Sequence, residues 1–220
     1  MSKKPLWPDN VQAWMKQIAA YNTHRMKLRT GKACLLVIDM QNEFLREGGA
    51  VFFHYASEIV PNVGRIIAAS RSASIPVVFT AHAHEDPKTD GGMTAEFWPD
   101  IKRGKSLIKG TRGVEVVREI RPLPGEKTVW KHRYSAFYNT DLEIILRGLG
   151  VTDLVITGIL TNVCCESTAR DAFFRDFRVF VVADATATTE PEFQVASLKN
   201  LAYAFACVLT TRDLLAQIRR

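Results

Sequence analysis

Three residues in this sequence have the types and spacing to act together as a nucleophile and its proton partners. Asp39 follows the apolar run Ala33-Cys-Leu-Leu-Val-Ile38, and Lys131 follows Lys127-Thr-Val-Trp130. Cys164 closes Gly158-Ile-Leu-Thr-Asn-Val-Cys164, just after the run Leu154-Val-Ile-Thr157. A thiol beside a carboxylate and an ammonium is a nucleophile with its own proton acceptor. Singly, each has a plainer reading. An aspartate after an apolar run caps a turn or helix, a lysine at a strand end is a solvated charge, and a buried cysteine packs as a small hydrophobe. The three gain weight because they fall at the same end of strands read as neighbours, where ligands bind in open α/β sheets. Cys164 is also expected in the first turn of a helix, where free N–H groups and the helix dipole lower a thiol pKa. Cys165, one position on, points about 100° away around such a helix and is expected to face the core.

The elements that must position these residues follow from periodicity. Residues 33–38 form a continuous apolar run suited to a strand buried on both faces. Residues 75–80, 127–130, 154–157, 179–183 and 207–210 supply further strands. Helical spacing covers residues 60–72, 141–149, about 162–176 and 191–205. This alternation predicts an α/β fold of three α/β/α layers, a doubly wound and mostly parallel six-stranded sheet with right-handed crossovers. Residues 7–29 read as a helical arm with Trp14, Ile18 and Tyr21 at helical spacing, so residues 1–30 are set apart from a domain over 31–220. The stretch 83–125 is rich in Gly, Pro and charge and is too long for a plain connection, which marks a lid or substrate loop.

Composition narrows the function classes. A 220-residue chain with 47% hydrophobic and 24% charged residues is a globular domain, not a disordered segment. No apolar stretch approaches the roughly 20 residues a membrane helix needs. Lys3 and Lys4 are followed by Pro8, Asp9 and Asn10, not by the apolar core of a secretory signal. The excess of 29 basic over 23 acidic residues is spread along the chain. It suits an anionic or carboxylate-bearing substrate better than nucleic acid. Cys34, Cys164, Cys165 and Cys207 form no Cys-x-x-Cys pair, which points to a reducing cytoplasm. Nucleotide-binding glycine motifs and a Gly-x-Ser-x-Gly elbow are missing.

Taken in order, these residues resemble the cysteine hydrolases of the isochorismatase-like superfamily. The resemblance runs from about Gly31 to Leu215. It is carried by Asp39-Met-Gln-Asn, by Lys131 with Tyr134-Ser-Ala-Phe137, by Gly158-x-x-Thr161-Asn-Val-Cys164 continuing into Glu166-Ser-Thr168, and by Ala183-Asp184-Ala-Thr186. It implies a catalytic triad of Asp39, Lys131 and Cys164, with backbone N–H groups of Leu160 and Cys164 receiving an oxyanion. It also implies a cis Ile159–Leu160 peptide and a closed homo-oligomer. The implied reaction is hydrolysis of a C–N bond in a small amide, carbamoyl or ureido compound through a thioester, without a cofactor. The run from Thr161 to Thr168 is most like ureido- and carbamoyl-amide hydrolases. Cys165 departs from the aliphatic residue usual at its position.

Candidate pocket walls are Phe44, Trp98 and Tyr134, since aromatic side chains dominate pockets as well as cores. Phe173, Phe174 and Phe177 are read as core or subunit interface, and the arm as a further contributor to subunit contacts. Two alternatives accompany this reading. A nicotinamidase-like, metal-assisted amidase would draw ligands from Thr80-Ala-His82-Ala-His84-Glu-Asp86, but no Asp-x-His pattern or third ligand is identifiable there, so no metal is expected. A redox sensor built on Cys164 and Cys165 would leave Asp39 and Lys131 unexplained.

Overall fold

The computed structural model describes residues 6–219. Its strands are β1 (Ala33–Ile38), β2 (Val77–His82), β3 (Lys127–Lys131), β4 (Asp153–Ile159), β5 (Arg178–Ala187) and β6 (Cys207–Leu209). They form one sheet in the order β3-β2-β1-β4-β5-β6. Every pairing in it is parallel. Parallel sheets are covered on both faces, so their strands read as unbroken apolar runs. β1 and β4 show this, with every residue buried. Val60–Ser72 and Thr211–Ile218 pack on one another over the sheet, and Glu166–Phe173 packs beside Pro191–Ala204. The chain winds outward from β1 to β3 and then from β4 to β6, so the direction reverses between β1 and β4. A crevice opens beyond the carboxyl ends of those two strands.

That crevice depends on a very close approach of backbone. Gly158 has φ +108°, and a Cβ placed there would sit 2.0 Å from the Ile38 carbonyl oxygen. Only glycine fits. The β4–β5 register shifts between Ile156 and Gly158, which lets β5 continue beside Gly158 as far as Ala187. The sequence reading ended this strand at Ala183 because polar residues interrupt the apolar run. Asp184 is satisfied locally, its Oδ1 accepting from the Thr211 N–H at 2.7 Å and the Thr211 hydroxyl at 2.9 Å.

Two expected helices are shorter than their periodicity suggested. The arm forms a 3-10 turn over Trp7–Asn10 and an α-helix over Val11–Ile18. Beyond it the Asn22 carboxamide donates to the Val208 carbonyl at 2.8 Å and accepts from the Val208 N–H at 3.1 Å. This pairing with the edge strand draws the chain out of a helical path. The segment expected over residues 162–176 divides into a π-helical turn at Thr161–Cys165 and an α-helix at Glu166–Phe173.

The arm packs on its own domain. Trp7, Trp14 and Ile18 are buried, and Trp7 Nε1 donates to the Thr186 carbonyl at 3.0 Å. Farther along, Arg29 meets the buried Asp153 at 2.6 Å and Arg178 meets it at 2.8 Å, tying the arm to the amino end of the sheet. Its apolar face is therefore covered without a second subunit. Phe177 is buried as well, while Phe173 and Phe174 remain on the surface. Residues 83–125 hold the short helices Pro87–Asp90, Gly92–Phe97 and Pro99–Lys102 and two 3-10 turns.

Gly158→Ala is expected to lower stability by at least about 2 kcal/mol, through the close contact and the positive φ together. Chemical denaturation of the purified variant measures this directly, and a shift below about 0.5 kcal/mol would contradict the close approach.

Candidate active site

Asp39 is the first residue beyond β1 and takes the left-handed conformation, φ 50°. That geometry costs a side-chain-bearing residue about 1–2 kcal/mol and persists only where its surroundings hold it. Thr80 on β2 does so. Its hydroxyl donates to Asp39 Oδ1 at 2.6 Å and accepts from the Asp39 N–H at 3.2 Å. The second carboxylate oxygen, Oδ2, lies 2.7 Å from Lys131 Nζ. Lys131 ends β3, which is an edge strand separated from β1 by β2. The strands of the triad are thus not all neighbours, as the sequence reading had them. The long lysine side chain spans the intervening strand and is fully buried.

The Lys131 ammonium forms an ion pair with Asp39 Oδ2 and donates hydrogen bonds to the Arg133 carbonyl at 3.0 Å and to Cys164 Sγ at 3.4 Å. The Cys164 thiol, an Asp39 carboxylate oxygen and a His82 ring nitrogen lie within 4.8 Å of one another. Cys164 sits in the π-helical turn, ahead of the bond from the Cys165 N–H to the Leu160 carbonyl at 3.0 Å. N–H groups so early in a helix lack an intrahelical acceptor. The Leu160 N–H has no acceptor among the described residues, and the Ile159–Leu160 peptide is cis.

The thiol opens on a cavity of about 510 Å³. Phe44, Trp98, Tyr134 and Leu160 all line it. Trp98 Nε1 donates to the Tyr134 hydroxyl at 3.0 Å, joining the long 83–125 segment to the segment that follows Lys131. Cys165 is buried and does not reach this wall. Thr80, Ser106, Asn162 and Thr188 were not singled out from the sequence. Thr80 adjoins the histidine pair already weighed, but a hydroxyl that orients a carboxylate on the next strand has no linear signature.

The isochorismatase domain model matches residues 33–213. The chain belongs to the isochorismatase family. It is 42% identical to nicotinamidase 3 of Arabidopsis thaliana over 188 residues, 84% of this chain and 88% of that protein. It is 35% identical to the ureidoacrylate amidohydrolase RutB of Pseudomonas syringae pv. syringae over 207 residues, 86% of this chain and 84% of that one. A cysteine hydrolase structure from Pseudomonas syringae pv. phaseolicola superposes with TM-score 0.84 at 29% identity, covering 100% of this chain and 99% of that chain. Both the nicotinamide and the ureido types weighed from the sequence thus occur among relatives of this isochorismatase-family chain.

Electrostatics correct one expectation. Burial pushes the Cys164 thiol up to about 12, with Lys131 opposing and Asp39 adding to the rise. The helix-terminus effect that favours a thiolate is outweighed, because a second negative charge would stand beside Asp39 in a dry site. Burial works against the Lys131 ammonium too, but Asp39 and Cys164 outweigh it and hold its pKa above the ordinary value. Burial and then the Lys131 charge press His82 far below the usual histidine range, so its ring is neutral.

Among the described residues, two groups of side chains have the types to hold a metal ion. Asp39, His82 and Cys164 form one, but the carboxylate and the thiol already engage the Lys131 ammonium, and a cation there would meet a like charge. His84, Asp90 and His132 form the other. There Asp90 Oδ1 pairs with His84 Nδ1 at 2.9 Å, Asp90 Oδ2 accepts from the Glu85 N–H at 2.6 Å, and His132 Nδ1 bonds the Ala83 carbonyl at 2.6 Å. The carboxylates and the thiol of both groups are engaged in this way, while His82 Nε2 and His84 Nε2 have no hydrogen-bond partner among the described residues.

A thiol raised to about 12 is protonated at neutral pH, and its thiolate fraction grows tenfold per pH unit until that value is reached. Alkylation of Cys164 by iodoacetamide is therefore expected to keep rising through pH 10. Peptide mass spectrometry across pH 6–10 checks this, and a rate that levels off below pH 8 would show a preformed thiolate.

Proposed function

We propose that this chain is a cysteine-dependent hydrolase that cleaves a C–N bond of a small amide, carbamoyl or ureido compound through a thioester on Cys164. One observation carries the reading: a single buried ammonium, Lys131 Nζ, is shared between a carboxylate at 2.7 Å and a thiol at 3.4 Å beside a ligand-sized cavity. The family membership and the amide- and ureido-hydrolase names of its relatives support it.

The chemistry follows from the proton positions. Asp39 accepts the thiol proton as Sγ bonds to the substrate carbonyl carbon, and the carbonyl π electrons move to oxygen. The Leu160 and Cys164 N–H groups receive that oxyanion. Asp39 returns the proton to the departing nitrogen, the C–N bond breaks, and an acyl or carbamoyl thioester remains. Water then gives a proton to Asp39 as its oxygen attacks the thioester carbon. Collapse breaks the C–S bond, and Asp39 reprotonates the sulfur. Lys131 stays charged throughout, stabilising whichever of its partners is anionic. Proton transfer to Asp39 is coupled to attack, which suits a thiol that is not ionised at rest.

A redox pairing of Cys164 with Cys165 leaves the Asp39–Lys131 pair without a role, and all four cysteines are free. Those unbridged thiols support a reducing compartment such as the cytoplasm. No helix among the described residues is long and apolar enough to cross a membrane.

Cys164→Ser is expected to lower turnover at least about a thousandfold, because a serine hydroxyl is a far weaker nucleophile in this site. Cys165→Ser should retain activity within about tenfold, since that thiol is outside the cavity. Steady-state ammonia release from an amide and ureide panel measures both, with intact-mass detection of the thioester. Undiminished turnover in Cys164→Ser would end this mechanism.

We further infer a symmetric homo-oligomer, supported by the exposed pair Phe173 and Phe174, which stand 6.0 Å apart on the helix after the nucleophile. Light scattering at micromolar concentration is expected to give a multiple of the chain mass, and a monomer mass would refute it.

A further inference from the structure

The substrate class can be read from the wall of the cavity, given the C–N hydrolase reading above. The chain as a whole is basic, yet among the described residues neither lysine nor arginine lines this chamber. Among the described residues the one charged wall residue is acidic, Asp100, which pairs with Arg103 at 3.1 Å on the exposed side. Lys131 is not part of this lining; its ammonium is ion-paired with Asp39 and donates to the Arg133 carbonyl and Cys164. Arg133, two positions on in the sequence, is not part of the lining either, and its Nη1 donates to the Asp90 and His132 carbonyls. A substrate carboxylate would enter this space with no counter-charge, and a buried anion is tolerated only when paired.

The polar groups that remain are neutral. Asn162 Oδ1 accepts from the Thr188 hydroxyl at 2.6 Å, which leaves the Asn162 amide N–H groups as the end still able to donate. His82 Nε2 and Ser106 Oγ are buried on the same wall without a hydrogen-bond partner. These suit the carbonyl and N–H groups of an uncharged amide. Phenylalanine, leucine and isoleucine side chains and Trp98 supply most of the rest of the surface, and the volume of about 510 Å³ exceeds what a minimal amide fills.

We propose that the substrate is an uncharged amide or urea whose remaining part is a bulky apolar group without a carboxylate. The basic excess of the chain, read from the sequence as suiting a carboxylate, lies elsewhere on the molecule. Apolar walls select by size and burial, and the absence of a cation selects against anions.

Matched pairs test this on the full chain. The primary amides are 3-phenylpropionamide and succinamate; the ureides are phenylurea and N-carbamoylglycine. Within each pair the phenyl member is expected to have at least tenfold higher kcat/KM. In Phe193→Arg, which places a cation on an exposed part of the wall, the ratio should move at least tenfold toward succinamate. Equal rates, a preference for the carboxylate members, or an unchanged ratio in Phe193→Arg would overturn the substrate class while leaving C–N hydrolysis standing. No turnover of any of the four, with no thioester by intact mass, would overturn the hydrolase reading itself and this inference with it.

Discussion

A lysine ammonium buried between a carboxylate and a thiol is the constraint around which this protein is arranged. Taking a charge out of water costs several kcal/mol, and the cost is recovered only where geometry satisfies each partner. Lys131 meets that condition, paired with Asp39 and donating to the Arg133 carbonyl and Cys164. Removing any one acceptor would leave a charged group partly unsatisfied in a dry site. The surrounding backbone is correspondingly fixed: Asp39 sits in the left-handed region, Thr80 holds both its amide and its carboxylate, and Gly158 allows β4 to press against the end of β1.

In the proposed reaction, this arrangement determines when the nucleophile forms. The ion pair is neutral as a unit, and a thiolate would add uncompensated negative charge, so burial keeps Cys164 protonated at rest. In the proposed reaction the thiol proton passes to the Asp39 carboxylate, an oxygen of which lies within 4.8 Å of the thiol, as the carbon–sulfur bond forms. A permanently ionised cysteine would be exposed to oxidation and alkylation. The resting state here guards against both while the base stays within reach.

Sheet and connecting segments divide the work. The carboxyl ends of β1, β3 and β4 present Asp39, Lys131 and Cys164 from a covered sheet, whereas the cavity walls come largely from connections, the 83–125 segment above all. Such a division lets one reacting group serve several acyl structures, because the walls vary without disturbing the ion pair. Relatives named for nicotinamide and for ureidoacrylate hydrolysis share the family of this chain and fit that pattern.

The linear sequence determined a good deal. Unbroken apolar runs revealed the covered strands, their alternation with helical spacing revealed the doubly wound sheet, and an acid, an amine and a thiol at strand ends marked the crevice. These features are local, set by a strand's own pattern or by the residue that ends it. The tertiary structure alone decided the rest, because it depends on partners distant in sequence. Thr80 holds Asp39 only because β2 lies beside β1, and Lys131 reaches the site only by crossing that strand. Asn22 ends the arm's helix by pairing with Val208 at the far edge of the sheet. The thiol's pKa reversed direction because a helix turn can be read along the chain, whereas burial beside a carboxylate cannot. Net charge likewise counts residues without saying where they face, and no lysine or arginine among the described residues faces this cavity.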